Sequence, residues 1–235
     1  MVRIGTCGWN YLSPGQFLSD LPREKLLQSY ARLFDTVEVN STFYRLPRKT
    51  TPDFWRKQVN ERRKDFEFTV KAPKLITHTH KFSPHADWAF ESIKDVARKL
   101  QAKIILFQTS EYFVPSKENI QKLESFFTRI NREDFILVLE VRWAEKWKKE
   151  IVFPLFKDLK LEQCIDPLRQ DWFYAESTAY FRLHGFGRPM YNYAFSDAEI
   201  RRVYDLISSL DYKEIYVFFN NSNCYADALK LKGMM

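Results

Sequence analysis

The sequence predicts an α/β fold, a (β/α)8 TIM-barrel-like domain over residues 1–235, and three observations predict it. Eight short β-rich runs recur along the 235 residues. Amphipathic helical patterns lie between most of them, and the runs start roughly 30 residues apart, the size of one strand-helix unit. Polar residues occupy the last inward-facing position of seven of the eight runs.

The elements follow in order. RIGTCGW (3–9) reads as the first strand, and Arg23 to Phe34 follows as a helix through Leu26, Leu27, Tyr30, Leu33 and Phe34. TVEVN (36–40) and FEFTVKA (66–72) alternate as strands do. Ala86 to Leu100 carries Trp88, Phe90, Ile93, Val96, Ala97 and Leu100 at helical spacing before strand IILFQT (104–109). Ser116 opens a helix running to Ile130, and FILVLEVR (135–142) is the fifth strand. The helix after Trp143 is poorly patterned; EQCID (162–166) then gives strand six. DPLRQDWFYAEST leaves room for a turn or one short helix before AYFRLH (179–184). Ser196 to Leu210 begins S-D-A-E, a capping box, and EIYVFFNN (214–221) is strand eight, with space for only a short helix after it. Helices after strands five, six and eight are therefore expected to be short or degenerate.

Strands alternating with helices imply a parallel sheet with right-handed crossovers, and a chain of this length is commonly one undivided barrel. Cys7, Cys164 and Cys224 have no CxxC spacing, which fits reduced cytoplasm rather than a disulfide framework or thiolate zinc site. No window approaches the roughly 18 apolar residues of a membrane helix, so no membrane partner is expected. The net charge of +7 favours an anionic partner, either a small metabolite or nucleic acid, although bases and acids are interleaved. Oligomeric state is not legible.

A barrel strand is buried on both faces, one against helices and one in the barrel interior that opens at the carboxyl end. With Val37 and Val39 outward, Glu38 and Asn40 face in. By the same parity Thr69 and Lys71, Gln108, Glu140 and Arg142, Asp166, Arg182 and His184, and Asn220 all face the mouth. Buried polar groups cost several kcal/mol unless paired, so such a ring either satisfies itself as an ion-pair network or binds something. Lys71 is expected to pair with Glu38 or Glu140, against the alternative of a Schiff-base lysine.

GTCGWNY, VEVNSTFYRLP, FEFTVKAPKLITH, LFQTS, LEVRW, CIDP, YFRLHG and YVFFNN, in that order, carry a resemblance. Over nearly its full length the chain resembles the YecE-like family of uncharacterised TIM-barrel proteins, domain of unknown function 72. The resemblance implies the barrel fold and marks Glu38, Asn40, Tyr44, Lys71, His78, Gln108, Glu140, Arg142, Asp166, Arg182, His184, Gly185, Asn220 and Asn221, without implying a reaction. This chain departs from the pattern at LSPGQFLSD after GWNY, and at Asp227 where relatives carry Asn.

The catalytic candidates are Glu38, Glu140, Asp166 and His184: a glutamate as base, His184 as acid, and Asp166 orienting a partner. The substrate-binding candidates are Asn40, Tyr44, Lys71, Gln108, Arg142, Arg182, Arg188, Asn220 and Asn221. Arg188 enters through HGFGRPMYNY, where Gly185 and Gly187 are expected to expose N–H groups to a phosphate. Trp9, Tyr44, Trp143, Phe186, Tyr191 and Tyr193 are expected as mouth aromatics. No cofactor is predicted. A divalent metal on the carboxylates and His184 is the weaker alternative, because Arg142 and Arg182 would repel it. His78, His80 and His85 suggest zinc by composition alone. The expected function is an enzyme of hydrolase, lyase or isomerase type acting on a small anionic or sugar-like substrate; the alternatives are a nucleic-acid-binding or phosphodiester-cleaving barrel and a non-catalytic metabolite binder.

Overall fold

In a computed structural model of the chain, which describes residues 1–18, 25–142 and 144–235, all eight expected strands form. They are β1 (Val2–Thr6), β2 (Thr36–Val39), β3 (Glu67–Lys71), β4 (Ile104–Gln108), β5 (Ile136–Glu140), β6 (Glu162–Ile165), β7 (Thr178–Leu183) and β8 (Glu214–Phe219). All are parallel, in the order β1-β8-β7-β6-β5-β4-β3-β2. The helices are α1 (Leu26–Leu33), α2 (Thr51–Asn60), α3 (Asp87–Leu100), α4 (Lys117–Arg129), α5 (Lys149–Asp158), α6 (Asp197–Ser209) and α7 (Cys224–Lys232). The expected helix start at Arg23 lies outside the described residues, as does Trp143.

Caps appear where the sequence places them. Ser116 accepts from the Asn119 N–H, and Ser196 and Glu199 form the reciprocal box at the head of α6. The helix after strand five is longer than its pattern suggests: α5 runs ten residues with Pro154 inside it. Its buried Val152, Leu155 and Phe156 hold it, so tertiary packing outweighs the proline. Between β6 and β7 no helix forms among the described residues.

Parity sorts the side chains as expected. Val37, Val39, Val70, Ile105, Phe107, Leu139, Ile165, Phe181, Val217 and Phe219 join the outer core under the helices. Phe82, Phe90, Phe107, Phe126 and Phe127 pack there as tilted and edge-to-face rings. Such ring pairs add about 0.5–1.5 kcal/mol each beyond area burial. A separate inner core of Cys7, Ile104, Leu106, Val138, Cys164, Tyr180, Tyr216 and Phe218 plugs the barrel. This plug is a floor, and polar residues of the next layer stand on it.

The barrel is nearly closed, and its seam lies between β1 and β2. A side chain bridges the gap: Thr6 N–H donates to the Tyr30 hydroxyl at 3.0 Å, and that hydroxyl donates to Thr36 C=O at 2.9 Å. The strands approach closely here, since a Cβ on Gly5 would lie 2.3 Å from the Thr36 carbonyl oxygen. Glycine at position 5 is what the approach permits. No helix among the described residues is long and apolar enough to cross a membrane.

Candidate active site

The inward residues at the carboxyl ends divide into a buried knot and an open rim. At the knot's centre Arg182, fully buried, donates Nη2 to Glu38 Oε1 at 3.0 Å and Nη1 to Glu140 Oε2. Nη1 also reaches Gln108 Oε1 at 3.3 Å. Tyr180 completes the coordination of Glu38 by donating to Oε2 at 2.9 Å, with Thr69 against its hydroxyl at 2.9 Å. Both oxygens of Glu38 are thus occupied, and Glu38 lines neither cavity described below. Burial alone would lower the Arg182 pKa, but Glu140 and Glu38 hold it well above its ordinary value. Burial would likewise raise Glu140, and Arg182 and Arg142 overcome it and keep the carboxyl below its ordinary value.

This arrangement corrects the expected pairing of Lys71. Glu38 and Glu140 are both taken by arginines, and Lys71 Nζ has no hydrogen-bond or ion-pair partner among the described residues. It sits instead 4.1 Å from the centre of the Phe43 ring. Burial, and after it the charge of Arg182, brings the Lys71 pKa down from 10.5 to about 7.

Above the knot are two cavities sharing Arg142 and Met190. The larger, about 1000 Å³, is lined among others by Asn40, Phe43, Lys71, His78, Gln108 and Asn220. The smaller, about 270 Å³, is lined by Glu140, Asp166, Arg169, Glu145, Asp171 and His184 together with Gln170 and Phe173. Arg142 stands between them, its Nε 3.0 Å from Glu140 Oε1 and its Nη2 donating to the Tyr191 hydroxyl at 2.8 Å.

In the smaller cavity, Asp166 Oδ2 accepts the His184 backbone N–H at 2.9 Å and lies 3.4 Å from Nδ1, while Oδ1 accepts the Leu168 N–H at 3.1 Å. An acceptor beside Nδ1 places the imidazole proton there and leaves Nε2 with a lone pair. That Nε2 is buried with no hydrogen-bond partner among the described residues, 3.8 Å from Glu140 Oε1. Burial lowers the His184 pKa against the upward pull of Asp166 and Glu140, so the ring is neutral at pH 7. Asn40, which lines the larger cavity, likewise has a buried Oδ1 with no hydrogen-bond partner among the described residues.

The remaining sequence candidates separate. Tyr44 and Tyr191 line the larger cavity, and Tyr11 and Tyr112, which the sequence reading passed over, line it with them. Asn221 is there too, but its amide donates to Tyr193 C=O and Asp227 Oδ2, both at 2.7 Å, leaving only Oδ1. Asp227, the departure from the family pattern, is a fully buried carboxylate satisfied by Asn221, Asn223 and the Phe195 N–H. Arg188 is exposed and lines neither cavity. Its place is taken by Arg169, three residues beyond Asp166, which donates to Gly185 C=O at 2.6 Å. Gly185 itself serves packing: at φ +87°, a Cβ there would meet Tyr193 at 2.5 Å. Trp9 packs edge-on against Trp55, Phe186 lies over Arg169 and Tyr193, and His80 pairs with His85 away from the cavities. His78 alone of the three histidines reaches the mouth, on the π-helical turn Leu75–Thr79. Among the described residues no group of three or more His, Cys, Asp or Glu side chains converges as metal ligands do.

The family described as "Protein of unknown function DUF72" matches residues 3–235, and the chain belongs to it. A DUF72 family protein from Enterococcus faecalis superposes with a TM-score of 0.78 at 22% identity, covering 99% of this chain and 94% of that one. One from Thermotoga maritima gives 0.77 at 24% identity, covering 100% and 98%. A D-psicose 3-epimerase, its structure determined in the presence of D-fructose, gives 0.59 at 12% identity, covering 97% and 89%. These likenesses concern the fold. No curated protein matches the chain.

Proposed function

We propose that this DUF72 chain is an enzyme that moves protons on a small anionic, hydroxylated substrate held in the barrel mouth, in an isomerase- or lyase-type reaction. The observation that carries the reading is His184 Nε2: buried, without a hydrogen-bond partner among the described residues, and on a ring that Asp166 holds at the cavity wall. A neutral imidazole in that state is a general base, and Glu140 stands 3.8 Å away to stabilise the imidazolium once a proton has moved. Arg142 supplies positive charge for an anionic group, and Asn40, Gln108 and Asn220 offer amides to hydroxyls. The likeness to an epimerase sits with this reading at the level of fold only.

The test is deuterium exchange. Hydroxy acids and sugar phosphates incubated with the protein in D2O should incorporate deuterium at carbon, and H184Q should slow this about 10²- to 10⁴-fold. The rate should fall on acidification through a value below the ordinary histidine value of about 6.5, because the base is lost on protonation. Exchange that is absent, or equal in H184Q, contradicts the reading.

A second reading rests on a different feature. Tyr11, Tyr44 and Tyr112 are 84%, 70% and 83% exposed around the larger opening, and the chain carries a charge of +7. Such rings stack on bases, so a single-stranded nucleic acid is the alternative ligand. It predicts oligonucleotide binding that weakens steeply between about 50 and 200 mM salt. No binding at the lower salt rules it out.

A further inference from the structure

The acid–base reading leaves one buried nucleophile of the mouth without a task. Lys71 ends β3, is 5% exposed, and faces a cavity of about 1000 Å³. Its backbone is pinned: the Thr42 hydroxyl lies 2.6 Å from Lys71 C=O and 2.7 Å from Val39 C=O, joining the ends of β2 and β3. The next residue, Phe43, sets its ring under the ammonium at 4.1 Å. An amine so placed, with no carboxylate holding its proton and a roomy cavity before it, is disposed to attack an electrophile rather than to neutralise a charge.

We infer that Lys71 forms an imine with the carbonyl carbon of a small hydroxy-aldehyde or hydroxy-ketone bound in the larger cavity, which makes carbonyl compounds the substrate class of this site. The inference rests on the acid–base reading in one respect only: His184 would remove the proton that the imine acidifies on the adjacent carbon. Formation of the imine does not need His184.

The step balances without an oxidant or reductant. The lone pair of neutral Nζ forms the N–C bond while the carbonyl π pair moves to oxygen. Both amine hydrogens pass to that oxygen, the C–O bond breaks, and water leaves as the nitrogen pair closes the C=N bond. His78, which lines the same cavity and packs edge-on to Phe43 at 5.2 Å, is placed to relay these protons. Once protonated, the imine draws electrons from the neighbouring C–H bond.

The charge environment supports the same assignment. The groups acting on Lys71 are Arg182 and Arg142, which disfavour its proton, and Glu38 and Glu140, which favour it, with His78 nearby. Burial adds to the arginines, and the value near 7 leaves about three powers of ten more free amine at neutral pH than an ordinary lysine has. Cys7 and Cys164 do not compete as nucleophiles: burial, and after it Glu38 for Cys7 and Glu140 for Cys164, raises both thiols well above their ordinary value.

The test is reductive trapping. Wild type, K71M and H184Q are incubated at neutral pH with glycolaldehyde or dihydroxyacetone phosphate plus sodium borohydride, then digested and mapped by mass spectrometry. The expected result is a secondary-amine adduct on Lys71 in wild type and H184Q, formed at least about a hundredfold faster than on any surface lysine. Its rate should climb through pH 7, and no adduct should form at position 71 in K71M, whose fold is checked by circular dichroism. No adduct at Lys71 with either probe, or labelling no faster than at surface lysines, overturns the inference. Deuterium exchange that depends on His184 while Lys71 stays unlabelled would leave the acid–base reading standing alone. Trapping at Lys71 with exchange indifferent to H184Q would leave the imine standing and remove that reading.

Discussion

The two halves of the polar ring differ in what their charges are for. Around Arg182 every charge has an opposite one: Glu38 and Glu140 meet its two Nη atoms, Gln108 accepts from Nη1 and Tyr180 donates to Glu38, and Nε alone of the guanidinium has no hydrogen-bond partner among the described residues. At the rim, among the described residues, Lys71 Nζ meets only a ring, and His184 Nε2 and Asn40 Oδ1 have no hydrogen-bond partner. Both sets lie at the carboxyl ends of strands, and both are buried. Location at the carboxyl end of a barrel therefore does not by itself make a residue chemical; in the proposed function the ligand meets the unpaired groups that line the cavities.

The largest effect that would sharpen the contrast is on the knot. R182M leaves Glu38 buried without its arginine and Glu140 with Arg142 alone, and should cost about 3–5 kcal/mol in chemical denaturation. A loss under about 1 kcal/mol would show that the knot holds nothing together. K71M acts in the opposite direction. The folded value near 7 lies below the unfolded 10.5, so the cost of charging Lys71 is fully present below pH 7 and fades as pH rises toward 10.5. K71M should accordingly stabilise the protein at pH 6.5 by about 4–5 kcal/mol, with the gain shrinking to under about 1 kcal/mol by pH 10. A gain independent of pH would point to packing instead.

Y30F strips the hydroxyl that spans the seam and leaves Thr6 N–H and Thr36 C=O buried and unpaired, at a cost of about 1–3 kcal/mol. Hydrogen exchange should quicken at Thr6 before it does at strands paired on both sides. The smallest effect belongs to His184. With Nε2 making no bond, H184Q should shift stability by less than about 1 kcal/mol while changing chemistry the most.

Much of this was legible in the residues because a two-residue period with burial on both faces leaves little freedom. Once Val37 and Val39 face helices, Glu38 must face in, and each sister strand repeats the argument. Who pairs with whom was not legible. Arg182 on β7 reaches Glu38 on β2 and Glu140 on β5 across the barrel, and such contacts depend on strand tilt and stagger, which no single strand encodes. Charge type alone gives Lys71 a carboxylate partner, and the company of two glycines alone gives Arg188 a phosphate. Arg169 lies three residues after Asp166 in DPLRQ, but its direction depends on the turn after β6, where Asp166 and Gln170 cap the chain.

The most direct test of the division is the titration of Lys71 itself, followed by NMR of protein carrying labelled lysine side chains and assigned with K71M. The Lys71 signal should titrate near pH 7, far from the other lysines. A Lys71 that keeps its proton above about pH 10 would be a paired lysine, bound to Glu38 or Glu140 after all, and the ring would be one closed network with no free nucleophile in it.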